Sequence, residues 1–200
     1  MKTTDYKLRF TFTEPLLATC SGNKELHEEF IASKCPTTEG IAEELESLPE
    51  ALEKAMTVFP LTDNKAFLWD YQVRGYIKES LGVFKRIGTL PKELKAYKKI
   101  ADDTLFVRPR QIFLLNPEGK PLNPPFQVLQ RPLRGQTAQG ERIALASSQQ
   151  VPAGTRIEFT LVTLLDISEV LNDLLVYGEF KGLGQWRNGG WGRFKAEQIA

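Results

Sequence analysis

The sequence predicts an α+β fold in which two helices pack on an antiparallel sheet. Three observations support this prediction: a strand-like alternation near the N-terminus, two amphipathic helical stripes, and β-rich segments between and after those stripes. The 200 residues correspond to about one domain, and the 42% hydrophobic and 26% charged fractions are ordinary for a globular protein.

The first element is a strand that ends before Pro15. Its apolar residues alternate with polar ones, which is typical of a half-buried strand. They are Tyr6, Leu8, Phe10 and Phe12. An acidic helical insertion at 23–56 follows, and we expect it to lie at the periphery. Residues 1–60 carry 6 basic and 11 acidic side chains, whereas residues 61–200 carry 20 and 14.

The strongest helical pattern covers residues 69–86. Its apolar stripe comprises Trp69, Val73, Tyr76, Ile77, Leu81 and Phe84. Arg74 and Lys78 lie one turn apart and away from that stripe. A shorter basic helix is predicted at 91–100, where Pro91 suits a first turn.

The remaining pattern is mostly β. A strand at 105–115 is interrupted by Pro109, and 116–125 has the composition of a loop. Residues 143–165 predict a hairpin around Pro152-Ala153-Gly154.

A last helix is predicted at 167–179, capped by Asp166, and a last strand at 194–199. Without the insertion, the order is βαββαβ, the ferredoxin-like or RNA-recognition-motif-like arrangement, in one domain spanning 1–200. This arrangement predicts that the first and last strands lie in the same sheet.

Several classes of protein are disfavoured by what the sequence lacks. It has no apolar run of membrane-spanning length, and residues 1–6 contain no signal-peptide core, so we expect a cytoplasmic protein with no membrane partner. Cys20 and Cys35 form no metal-ligand pattern, and His27 is the single histidine. We therefore expect neither a metal nor a cofactor.

A glycine-rich loop near the C-terminus is the most unusual segment. Glycines allow close backbone approach, tryptophan offers a stacking surface and arginine can grip phosphate, so the loop indicates RNA or nucleotide binding. It matches neither a Walker loop nor a dinucleotide fingerprint. The alternative is a tight turn with both tryptophans anchored in the core. The candidate residues are Gly184, Trp186, Arg187, Gly189, Gly190, Trp191, Gly192 and Arg193.

A second candidate site is the segment 130–142, which contains Arg134 and Arg142. Its arginines, glutamines and small residues make a poor core strand. It is interpreted either as a polar loop that touches RNA or nucleotide, or as a solvated β-connection.

Three segments carry a resemblance to a known family. Residues 180–194, ending in Gly189-Gly190-Trp191-Gly192-Arg193-Phe194, resemble the C-terminal glycine-rich loop of the RAMP superfamily, the ferredoxin-like RNA-binding proteins of CRISPR systems. Residues 69–78 resemble the opening of the first RAMP helix, and 137–161 is similar to a hairpin of type III backbone subunits. The resemblance covers about residues 60–200.

The resemblance implies a binder of the guide-RNA backbone. Arg74 and Lys78 would lie at the RNA-facing end of the first helix, and Gly184–Gly192 would hold the RNA. The activating aspartate of target-cleaving relatives has no counterpart in 17–23, so no enzymatic activity is expected. His27 lies among glutamates that would repel phosphate, so it is not expected to be catalytic.

The sequence thus favours a non-catalytic RNA-binding protein of RAMP type that acts in a CRISPR-like system. Its partners would be RNA, other CRISPR-type subunits or further copies of itself. Because the net charge is only +1, a nucleotide-binding sponge or other anti-defence protein, for example phage-encoded, is the alternative. A protein-interaction scaffold that uses the acidic helices is a second alternative.

Overall fold

A computed structural model of the chain describes residues 3–22, 56–137 and 140–200, with only the backbone described for 133–137 and 140–144. The predicted insertion 23–56 therefore lies outside the described residues apart from Met56, as does His27.

The central sheet contains four antiparallel strands: β1 (Thr4–Phe12), β7 (Leu105–Arg108), β11 (Arg156–Thr163) and β12 (Phe194–Gln198). Their order in the sheet is β12-β1-β11-β7. Leu8, Phe10 and Phe12 are buried, as the alternation predicts. The pairing of β1 with β12 confirms that the first and last strands share a sheet.

Two long helices contribute to the same hydrophobic core as this sheet: α1 (Asp70–Ile87) and α3 (Ser168–Lys181). Phe10 of β1 lies edge-to-face with Tyr76 of α1, at a ring-centroid distance of 6.1 Å. The Tyr76 hydroxyl donates to the backbone carbonyl of Leu174 in α3, at 2.7 Å. The predicted helices at 69–86 and 167–179 are confirmed, and the described chain is an α+β protein.

Smaller sheets flank the central one. One contains β2 (Leu16–Leu17), β3 (Cys20–Ser21), β4 (Met56–Val58), β9 (Gln127–Thr137) and β10 (Gly140–Val151). Another contains β5 (Leu61–Thr62), β6 (Lys65–Trp69) and β8 (Gln111–Phe113). The strand predicted at 105–115 is thus two strands in different sheets, separated at Pro109, and residues 116–125 form the expected loop.

In the β-rich part, one prediction is wrong and one of two open interpretations is excluded. Residues 143–165 do not form a hairpin, because β10 pairs with β9 whereas β11 pairs with β1 and β7. Of the two interpretations of 130–142, the β-connection agrees with the structure and the loop does not, because the described backbone of this segment forms most of β9 and the start of β10. Alternation identifies a strand but does not select its partner.

The predicted basic helix at 91–100 is only partly correct. A 3-10 turn occupies Lys92–Leu94, and α2 (Tyr97–Thr104) begins later and extends further than predicted. None of the described helices is both long and apolar enough to cross a membrane.

Candidate functional site

A cavity of about 600 Å³ lies between the first half of α1, α2, the segment around β3 and the glycine-rich loop. It brings together four of the residues predicted from sequence. They are Arg74, Lys78, Gly184 and Arg187. Two segments more than 100 residues apart in the chain therefore contribute cations to one concave surface.

Local hydrogen bonds fix the start of α1 at this cavity. The Gln72 side chain accepts a hydrogen bond from the backbone N–H of Trp69 at 2.8 Å, and its amide donates to the Thr19 hydroxyl. Burial raises the pKa of Asp70, although the Tyr71 backbone N–H and the charges of Arg110 and Arg74 partly oppose this. Helical spacing then places Arg74 and Lys78 on successive turns.

Of the three cations that the described residues contribute to the cavity, two are already paired with carboxylates. Lys78 lies 2.5 Å from Asp102 of α2, and Arg187 lies 2.6 Å from Glu79 of α1. Lys181 also contacts Glu79, at 3.0 Å. Burial opposes ionisation of Glu79, but the hydrogen bonds from Arg187 and Lys181 outweigh it and lower the pKa of this carboxyl.

Arg74 differs from these cations. Among the residues that the structure describes, no carboxylate forms an ion pair with its guanidinium, although the charge of Arg74 acts to lower the pKa of Asp70. Its side chain is half-buried at the edge of the cavity. Arg74 is therefore the cation that a bound anion could contact without displacing an internal carboxylate.

The glycines at two positions of the loop serve the packing of the chain itself. Gly184 has φ +79°, and a Cβ there would lie 2.5 Å from the Leu17 carbonyl oxygen. Gly192 has φ +69°, and its Cβ would lie 2.0 Å from the Leu183 carbonyl oxygen. Both distances are too short for any side chain, so these glycines let the loop close on itself and on β2.

The two tryptophans of the loop contact each other instead of lining the cavity. Trp186 and Trp191 stack with ring centroids 5.8 Å apart and an interplanar angle of 15°. Trp186 is 43% exposed, and its ring packs against Gly189. Arg193 is exposed, and its guanidinium lies over Gly190. The predicted site residues thus fall into two groups, and Arg193 does not line the cavity with Arg74 and Lys78.

Arg131 of β9 was not among the predicted site residues. Its guanidinium lies 4.9 Å from the ring centroid of Trp186, and its Nη2 donates to the side-chain oxygen of Gln185 at 3.2 Å. Arg131 is only 7% exposed. Arg131 lies inside the segment 130–142, which stands out in the sequence for its arginines. Its contact with Gln185, 54 positions away in the chain, has no signal in the sequence.

Arg134 and Arg142 have known backbone positions only. Arg134 pairs with Ile143 and Arg142 pairs with Gly135 in the β9–β10 ladder. Their roles remain predictions. Within the described parts of the chain, no group of three or more His, Cys, Asp or Glu side chains could hold a metal ion.

Comparisons with known proteins give matches by structure alone. No family model and no curated protein matches the sequence. A chain of a Type IV-B CRISPR complex matches with a TM-score of 0.52 and 11% identity, covering 98% of this chain and 91% of that chain. The two chains share a fold.

A chain of the Type III-B Cmr-beta complex, whose structure was determined by cryo-EM with cognate target RNA bound, gives a TM-score of 0.49 at 11% identity. That match covers 100% of this chain, which spans 60% of the length of the Cmr-beta chain.

Proposed function

We propose that this protein is a non-catalytic RNA-binding subunit of RAMP type that holds single-stranded or guide-like RNA by its phosphate backbone in a CRISPR-like system. The core is then a ferredoxin-like βαββαβ unit. Along the chain, α1 follows β1 and α3 follows β11. Together with the strand order β12-β1-β11-β7 in the central sheet, this connection pattern supports that assignment. The fold similarity to the Type IV-B CRISPR chain supports it as well.

The observation that carries the proposal is the convergence of Arg74, Lys78 and Arg187 on one cavity beside Gly184. Arginine binds phosphate oxygens through two parallel hydrogen bonds, and lysine supplies a point charge. Phosphate contacts of this kind fix position and carry no sequence information, which suits a protein that must accept many guide sequences.

The carboxylates at the cavity set the strength of this binding. Glu79 and Asp102 already neutralise Arg187 and Lys78. A phosphate that binds either cation must therefore compete with an internal carboxylate, whereas Arg74 is ready to bind. We expect moderate affinity for one chain, with tight binding arising when several copies hold the same RNA.

A lack of catalysis is part of the proposal. Residues 17–23, which the resemblance matches to the cleavage loop of target-cleaving RAMP proteins, contain no carboxylate. Labelled single-stranded RNA incubated with the protein and Mg²⁺ should remain intact. Cleavage that persists after repurification and disappears in a Cys20→Ala or Thr19→Ala variant would overturn this part.

A small nucleotide is the second candidate ligand. The cavity volume of about 600 Å³ falls within the range typical of small-molecule sites, and the net charge of +1 is low for a protein that binds RNA over a long surface. A small nucleotide would then occupy the cavity between Tyr71 and the glycine-rich loop.

Two measurements separate these candidates. The ratio of absorbance at 260 and 280 nm on the freshly purified protein reports bound nucleic acid, and extraction gives its length. Fluorescence anisotropy with a labelled single-stranded RNA, with and without excess mononucleotide, then measures affinity. RNA binding that mononucleotide does not displace supports the proposal. Absence of RNA binding together with mononucleotide binding supports the second candidate.

A further inference from the structure

Arg131 is a buried cation that the described structure leaves partly unsatisfied. It is 7% exposed, and its Nε and Nη1 atoms have no hydrogen-bond partner among the described residues. Within the described parts of the chain, only Nη2 is bonded, to the amide oxygen of Gln185 at 3.2 Å. Leaving donors of a charged group unpaired in a buried position is costly, so such a group calls for an explanation.

The surroundings of Arg131 hold this guanidinium in place without neutralising it. Gln185 also accepts a hydrogen bond from Ser148, which in turn accepts one from Thr57, so the loop is tied to two strands of the flanking sheet. Trp186 covers the guanidinium at 4.9 Å. Burial lowers the pKa of Arg131, and no carboxylate contributes to that shift.

The conformation of Trp186 is itself unusual. Its φ of +53° lies in the left-handed region, which is unfavourable for a bulky residue. This conformation brings its indole into contact with both Arg131 and Trp191, while leaving it 43% exposed. Strained residues of this kind concentrate at ligand sites.

The charge of the two segments around Arg131 favours an anion. Neither 127–137 nor 182–193 contains an acidic residue, whereas together they carry Arg131, Arg134 and Arg193, in addition to Arg187, which Glu79 neutralises. Arg193 lies over Gly190 of the same loop. An anion of more than one charge, such as a phosphate, suits this region better than a neutral ligand.

We infer that Arg131 is a second phosphate-binding residue, whose free Nε and Nη1 donors receive a phosphate group when Trp186 moves aside. The inference deepens the proposed RNA-binding role and rests on it for one source of the phosphate, the RNA backbone. The other source is a small phosphate compound. Nε and Nη1 lie on different edges of the rigid guanidinium, so a separate phosphate oxygen at each edge completes the bonding.

The test uses Arg131→Met, which keeps much of the side-chain volume and removes the charge, and Arg131→Lys, which keeps the charge and loses the planar fork. Arg108→Met, at an exposed arginine of β7, is the matched control. Inorganic pyrophosphate is titrated into each protein while tryptophan fluorescence is recorded, because Trp186 reports on its contact with Arg131. Melting temperatures are measured without ligand.

We expect a saturable fluorescence change for the wild type and the control, a weaker one for Arg131→Lys, and none for Arg131→Met. The melting temperature of Arg131→Met should equal or exceed that of the wild type, because an unpaired buried charge is removed. A wild-type pyrophosphate response in folded Arg131→Met or Arg131→Lys, or no response in the wild type, would overturn the inference.

A parallel titration with labelled single-stranded RNA separates this inference from the proposed function. Pyrophosphate binding through Arg131 without RNA binding supports the inference, assigns the phosphate to a small compound and refutes the proposed function. RNA binding that is unchanged in Arg131→Met, with no pyrophosphate response, leaves the proposed function standing and refutes the inference.

Discussion

The two sides of the glycine-rich loop differ in how their cations are neutralised. On the cavity side, Arg187 and Lys78 are held by Glu79 and Asp102. On the tryptophan side, the described residues give Arg131 only an amide and an indole. This difference means that a paired cation is held in position but must exchange its carboxylate for a ligand, whereas a buried cation without a carboxylate lowers the stability of the fold.

The largest expected effect breaks both sides together. Gly192→Val would place a Cβ at φ +69° and 2.0 Å from the Leu183 carbonyl oxygen, which forces apart the two segments of the loop that meet at Leu183 and Gly192. We expect a loss of at least about 3 kcal/mol in the free energy of unfolding, measured by chemical denaturation. A free energy of unfolding within about 0.5 kcal/mol of the wild-type value would show that the loop is not closed in this way.

The conformation of this loop shows where sequence reasoning succeeds. The cluster of glycines predicted an irregular loop, and residue periodicity predicted β1, α1 and α3. These signals are local. The binding role of the tryptophans and arginines in that loop stays a prediction. Arg187 and Glu79 are 108 positions apart in the chain, and Arg131 and Trp186 are about 55 positions apart. No rule based on local residue spacing could therefore predict these two contacts.

The second effect tests competition on the cavity side. Glu79→Gln should tighten RNA binding about fivefold, because Arg187 no longer has to leave a carboxylate to contact phosphate. Anisotropy titrations measure the change, and Glu169→Gln on α3, outside the cavity, is the control. Weaker binding in Glu79→Gln would mean that this carboxylate positions Arg187 and does not compete for it.

The same variant carries a pH signature. The pKa of Glu79 is lowered in the folded state, so its ionised form contributes stability above its unfolded pKa. That contribution is lost as the pH falls through the lowered folded value. The wild type should therefore lose more stability than Glu79→Gln between about pH 5 and pH 3. Parallel pH dependences of the melting temperature would contradict the ion pairs seen here.

A smaller effect is expected at Lys78. This lysine shares its charge with Asp102 and is a third exposed, so Lys78→Gln should weaken RNA binding only about twofold. The double variant with Asp102→Asn should bind no more weakly than Lys78→Gln alone. A tenfold loss for Lys78→Gln would show that this lysine leaves Asp102 for the phosphate.

The smallest effect is a gain in stability at the edge of the cavity. Gly75 lies within α1, and a Cβ there would meet nothing within 4 Å. Gly75→Ala should therefore stabilise the protein by about 0.5–1 kcal/mol through its helix propensity. Denaturant unfolding measures this gain. Destabilisation would mean that the helix needs a glycine here, for example for close approach of another chain.

The proposal that RNA phosphates bind at Arg74 is tested most directly by the salt dependence of RNA affinity. Arg74→Gln is compared with Lys95→Gln/Lys99→Gln, two exposed lysines outside the cavity. For Arg74→Gln, we predict affinity about tenfold weaker and a slope of log K against log salt reduced by about 0.7, the value for one phosphate contact on a single strand. If Arg74→Gln keeps the wild-type affinity and salt slope while both decrease in the control variant, RNA phosphates do not bind at Arg74.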